Sequence, residues 1–149
     1  MKLFTPVSDA PSATLLLRLM AGGVFLSEGI LKFVYANQGV GRFTKLGFPL
    51  PHLTADAIAC FEIVGGILLI LGLLTRPVAA LFVAEMVVAI LSTKVSLFMG
   101  TSPLAPPSAP PLSGFWAVMH ETRSDYAQLM TCLFLAIVGP GPRSLDRRV

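Results

Sequence analysis

Four apolar runs, at residues 13–35, 53–74, 77–98 and 124–140, constrain this chain more than anything else in it. Crossing a hydrocarbon core about 30 Å thick takes roughly 20 mostly apolar residues in a helix. The first three runs reach that length and the fourth is marginal. A span in lipid finds no water for its peptide groups, so each run is predicted to be an α-helix that satisfies them internally. The expected fold is an all-α membrane protein, an antiparallel four-transmembrane-helix bundle forming one domain over residues 1–149. Composition agrees: 54% of residues are hydrophobic and 13% charged, where soluble domains carry about 25% charged residues. The formal net charge of +3 is scattered or terminal. That excludes the clustered basic face a nucleic-acid partner needs.

The connections differ in kind. Runs two and three are separated by little more than Thr75-Arg76-Pro77, which dictates a tight hairpin. Pro77 suits a first helical position, where its missing N–H costs nothing. Residues 36–52 hold three glycines and two prolines and read as an ordered loop. Residues 99–114, with the stretch TSPLAPPSAPP, form a proline-rich outer loop that cannot continue a helix. Phe115–Met119 then reads as an interfacial segment with Trp116 as its aromatic anchor. The N-terminal run is interrupted by Arg18 and continues to about Tyr35, so it is taken as an uncleaved span rather than a secretory signal. With four spans, Lys2, Arg76, Arg143, Arg147 and Arg148 share one side, against Arg42, Lys45 and Arg123 on the other. The positive-inside rule then places both termini in the cytoplasm.

A charge at the bilayer centre costs about 2.5–3.5 kcal/mol on insertion scales, so every ionisable group in a span is a site candidate. At 1.5 Å per residue, Glu28 lies roughly 22 Å from the inner end of the first span and Glu62 roughly 15 Å below the outer surface. Lys32 and Lys94 reach the outer half by the same count. Glu28, Lys32, Glu62 and Lys94 therefore form the candidate intramembrane polar site. Arg18 and Glu85 are the expected ion pair of the inner half, and Arg76 is the basic residue of the helix turn. Spacing supports an inward orientation: Arg18, Gly22, Phe25, Gly29 and Lys32 share one helical stripe, as do Glu62, Gly66 and Leu69. Small residues bring membrane helices together and polar groups bond across the gap. The bland reading is that Glu28 and Lys32 merely neutralise each other at i,i+4. Glu62 resists it, having no cation within a turn of its own helix.

Other groups carry less. His52 and His120 read as surface residues, and no cluster has the spacing of a metal site. Cys60 and Cys132 read as small hydrophobes, and no CxxC is present. Haem, flavin, iron–sulfur and dithiol signatures are all missing from the sequence. Any cofactor would thus be a guest, a bound quinone or lipid.

Taken in order, three stretches resemble the DoxX family of bacterial four-helix membrane proteins. They are Arg18…Gly22…Phe25…Gly29…Lys32, FEIVGGILLILGLLTRPVAAL over Phe61–Leu81, and GPGPRSLD over Gly139–Asp146. The proline-rich loop and Glu85 fall outside that pattern. The resemblance implies a multi-pass protein of the bacterial inner membrane, related to subunits of thiosulfate:quinone oxidoreductase and to thiol-redox assemblies. Its polar pattern corresponds here to Arg18, Lys32, Glu62 and Arg76. The expected function is a quinone- or thiol-redox-linked subunit of a membrane oxidoreductase assembly, built around a buried Glu/Lys/Arg cluster. The alternative is a non-catalytic anchor, assembly factor or accessory subunit. Solute transport is a third reading, disfavoured because four helices are few for alternating access. Expected partners are the bilayer, other membrane or periplasmic redox proteins, and a second copy of the chain.

Overall fold

The computed structural model describes residues 11–147. Lys2 and Arg148, counted above for orientation, lie outside them. The described residues form five α-helices and a closing 3-10 turn, with no strand among them: α1 (Thr14–Val34), α2 (Val40–Lys45), α3 (Pro51–Leu71), α4 (Thr75–Phe98) and α5 (Gly114–Val138). Three of these, α1, α3 and α4, are long and apolar enough to cross a membrane. The fourth long helix, α5, carries Glu121, Arg123 and Asp125 in its first half and is apolar in its second.

Two elements depart from the expected boundaries. The segment around Trp116 is not separate but forms the first turns of α5. Nothing from Phe115 to Val138 is glycine or proline, so once Gly114 sets the helix going from its positive φ of 81° nothing stops it until Gly139. The loop at 36–52 contains the short helix α2. At the hairpin, α4 begins at Thr75, so Arg76 and Pro77 both lie in its first turn. Proline is tolerated there because first-turn N–H groups have no partner within the helix.

The closest packing joins α1 to α3. A Cβ added to Gly22 would stand 2.6 Å from the Gly66 carbonyl oxygen, and one on Gly29 would stand 2.7 Å from that of Ala59. Only hydrogen fits at either place, so the two backbones touch. Helix α4 closes on this pair through Phe82, whose ring stacks on Phe25 at 3.7 Å between centroids and lies over Gly65. Helix α5 packs on α4 and brings Cys132 and Leu135 into the same buried core. The opposite faces are bare hydrocarbon: Leu81, Val88, Leu91 and Val95 of α4 are each more than half exposed. That is a surface suited to lipid rather than water.

The tail folds back over the α3–α4 turn. Asp146 accepts hydrogen bonds from the Leu74 and Thr75 amides at 2.7 and 2.9 Å, and its own amide donates to the Gly72 carbonyl. A carboxylate here meets both the orphan N–H groups of α4 and the positive end of its dipole.

Candidate functional site

The backbone contact of α1 with α3 decides where Lys32 points. With Gly29 pressed against Ala59, the Lys32 side chain reaches across to Glu62, midway along α3. Its Nζ stands 2.8 Å from Glu62 Oε1 and 2.6 Å from Oε2. Both side chains are nearly shut off, at 12% and 4% exposure. Glu28, the partner offered by helical spacing, stays on the exposed side of α1 and lines the wall of an adjoining cavity.

Arg18 and Glu85 are not a pair. Arg18 lies about one turn into α1, whereas Glu85 is ten residues into α4, a difference in level of roughly 9 Å at 1.5 Å per residue. The Arg18 guanidinium instead donates to four carbonyls: Leu69 at 3.0 Å, Ile70 at 2.8 Å, Pro140 at 3.0 Å and Arg143 at 2.7 Å. It satisfies the C-terminal end of α3 and holds the tail against it, buried to 1% exposure. Gly72 is required beside it, since a Cβ there would lie 2.6 Å from the guanidinium carbon. Arg76 similarly donates to the Val138 carbonyl at 3.2 Å, tying the start of α4 to the end of α5.

Glu85 belongs to the Lys32–Glu62 group. Its carboxyl lies within side-chain hydrogen-bonding reach of Glu62, and its Oε2 is buried without a hydrogen-bond partner in the protein. Lys94 does not join them directly. Its ammonium turns to α5, donating to the Glu121 carbonyl at 3.0 Å and pairing with Asp125 at 3.1 Å.

These two polar groups line one cavity of about 420 Å³, which runs from Glu62 and Glu85 in mid-helix towards α2 and the start of α5. Phe25 and Met86 give it apolar wall, and Arg42 of α2 contributes at the loop end. The cavity's volume falls within the 300–1,000 Å³ usual for a small-molecule site, and charged and polar side chains, Glu28 and Asp125 among them, line it together with apolar ones. Gln128 of α5 also lines it, 8% exposed, with its Oε1 lacking a protein partner. Asp125 and Gln128 both fall within the fourth apolar run, 124–140, but were not singled out from the sequence. Their i,i+3 spacing on one face was the available signal.

Both cysteines are free thiols, Cys132 buried in the core and Cys60 exposed. His52 and His120 are exposed, the latter against Arg123.

Comparison with known proteins finds relatives that are membrane proteins. The DoxX family profile matches residues 13–95. The uncharacterized membrane protein Rv3486 of Mycobacterium tuberculosis is 42% identical over 95% of this chain and 84% of its own length. A Bacillus subtilis protein named "Putative oxidoreductase CatD" is 32% identical over 89% of this chain and 84% of its own. The inner membrane protein YphA of Escherichia coli is 30% identical over 93% and 91%. No solved structure matches. The profile covers more than half of the chain and these relatives align along nearly all of it: the chain belongs to the DoxX family.

Proposed function

We propose that this protein is a four-span subunit of a bacterial inner-membrane redox assembly, both termini cytoplasmic, that binds a quinone head group beside Lys32, Glu62 and Glu85. The observation that carries this reading is the opening of that buried cluster into a cavity of ligand size. Two carboxyls share one ammonium in an interior that penalises net charge. One proton between Glu62 and Glu85 makes the group neutral, and a group poised in that way can pass a proton on. Converting a quinone to its quinol takes two electrons and two protons. A thiol-bearing partner supplies both when two thiols become a disulfide, so the overall exchange is quinone plus two thiols to quinol plus disulfide. This chain contributes the head-group site and the carboxyls beside it, and the partner contributes the electrons. One relative's oxidoreductase name lends the redox assignment its support.

An accessory role is favoured by a separate observation. Arg18 and Asp146 spend their hydrogen bonds on fastening the tail, which is architecture rather than chemistry. The two readings divide on one measurement. In lipid nanodiscs, wild-type protein is expected to bind a short-chain quinone saturably, and Glu62→Gln to lose that binding. Purified, folded protein that binds neither quinone nor quinol leaves the accessory reading.

A further inference from the structure

Glu28 is a carboxylate that neither the fold nor the head-group site accounts for. Lys32, four residues on, is committed to Glu62. The Glu28 side chain makes no hydrogen bond or ion pair with any described residue. It is exposed, yet it stands roughly 21 Å along a membrane-spanning helix at 1.5 Å per residue. An ionisable group inside a span is costly, and such groups mark proton and ion routes. Glu28 lies on the cavity wall, close enough to Glu62 for their charges to interact. The other charged groups of the lining are Lys32 of α1, Glu62 of α3, Glu85 and Lys94 of α4, Glu121 and Asp125 of α5, and Arg42 of α2. Lys32 and Lys94 are held in ion pairs by Glu62 and Asp125, and Arg42 makes no bond to Glu28.

The cavity is closed towards the tail. On that side of Glu62 and Glu85 its floor is Phe25, stacked on Phe82, and beyond them Leu69, Ala79 and Leu135 have no exposed surface. Arg18 and the tail carbonyls it binds finish that end. The exposed polar residues of the lining, Glu28, Glu121 and Ser124, all stand on the α2 side of this floor. Resting on the quinone reading above, we propose that Glu28 is the proton carrier of the site, loading and unloading the Glu62–Glu85 pair from the α2 end. Hydronium at the lip of the cavity gives a proton to the Glu28 carboxylate and leaves as water. The resulting carboxylic acid passes that proton through a cavity water to the carboxylate of the pair and is a carboxylate again. A polar-lined cavity of about 420 Å³ has room for such bridging water. Two such transfers supply the two protons of a quinol, while the electrons come from the partner. A side chain placed within one water of the group it protonates speeds transfer by about 10²–10⁴-fold.

The test is the rate at which the shared carboxyl proton exchanges for deuterium. Stopped-flow infrared spectroscopy of the full chain in nanodiscs, after a step into D₂O, follows the protonated-carboxyl C=O stretch, assigned by its loss in Glu85→Gln. Glu28→Gln is expected to exchange about a hundredfold more slowly than wild type, the lower end for a placed proton carrier. Glu28→Asp keeps the carboxyl and is expected to stay near the wild-type rate. Glu28 is exposed and breaks no bond when replaced, so these variants are expected to fold normally. In Glu28→Ala, added acetate is expected to restore exchange, which a merely structural role for the residue would not allow. An unchanged rate in Glu28→Gln overturns the proposal, and so does a slowed rate that neither Glu28→Asp nor acetate restores. A wild type without the Glu85-dependent band overturns the shared proton, and this inference with it. Loss of the quinone reading, by the binding measurement above, with Glu28-dependent exchange intact leaves the carrier role standing without its substrate.

Discussion

Lys32 and Glu62, thirty residues apart, meet across α1 and α3 with Nζ 2.6 Å from Oε2, in the part of the molecule where the glycines of one helix lie against the backbone of the other. The pair depends on that contact. Helices held further apart by a side chain at Gly29 would leave the lysine short of its partner.

Removing one member should therefore cost far more than removing both. Glu62→Met leaves the Lys32 ammonium with only Glu85 as a neighbouring carboxyl and is expected to destabilise the protein by about 3 kcal/mol, the lower end for a broken buried pair. The double variant Lys32→Met with Glu62→Met, which replaces both charges by apolar volume, is expected to recover most of the loss. Denaturant unfolding in detergent of Lys32→Met, Glu62→Met and the double variant forms the cycle that reads this coupling. Additive losses would mean that the pair contributes nothing as a pair.

Arg18 is expected to control the tail. Arg18→Ala abandons four carbonyls and should cost at least about 3 kcal/mol, since each bond to a charged donor is worth about 1.5–3 kcal/mol. Arg18→Lys keeps the charge but loses the planar fork that reaches α3 and the tail together, so it should fall between. Asp146→Ala removes only a helix cap and should cost about 1 kcal/mol. Limited proteolysis reports all three, with cleavage after residue 138 appearing first in Arg18→Ala.

Two neighbouring glycines should respond in opposite directions. Gly22→Ala drives a methyl into the Gly66 carbonyl and the Ile70 side chain, whereas an added Cβ at Gly23 meets nothing within 4 Å. Thermal unfolding should show the first clearly destabilised. The second should be neutral or stabilised by up to about 1 kcal/mol, from lost unfolded-chain freedom.

Thiol accessibility should follow position rather than sequence context, both cysteines lying in equally apolar runs. In protein solubilised in detergent and assayed at alkaline pH, a membrane-permeant maleimide is expected to label Cys60 before Cys132 and to reach Cys132 only after denaturation, because Cys132 has no exposed surface. Rapid labelling of Cys132 in the native state would contradict the packing of α5 on α4.

Sequence alone determined the long apolar helices α1, α3 and α4 and the families of residues on their faces, but neither α2 nor the start of α5. Hydropathy marks where water is excluded, and a 3.6-residue period marks which groups share a stripe. On that basis Gly22, Phe25, Gly29, Glu62 and Gly66 were expected inside, and all of them are buried. What the period cannot supply is the height and rotation of one helix against another. A shift of one residue turns a side chain by 100° and moves it 1.5 Å, enough to exchange partners. Only the tertiary structure sent Lys32 to Glu62 rather than Glu28, moved Glu85 from Arg18 to Glu62, turned Lys94 to Asp125, and spent Arg18 and Asp146 on the tail. Lys32 reaches Glu62 because the α1 and α3 backbones touch at their glycines, and the other partners follow from how α4, α5 and the tail pack on that pair.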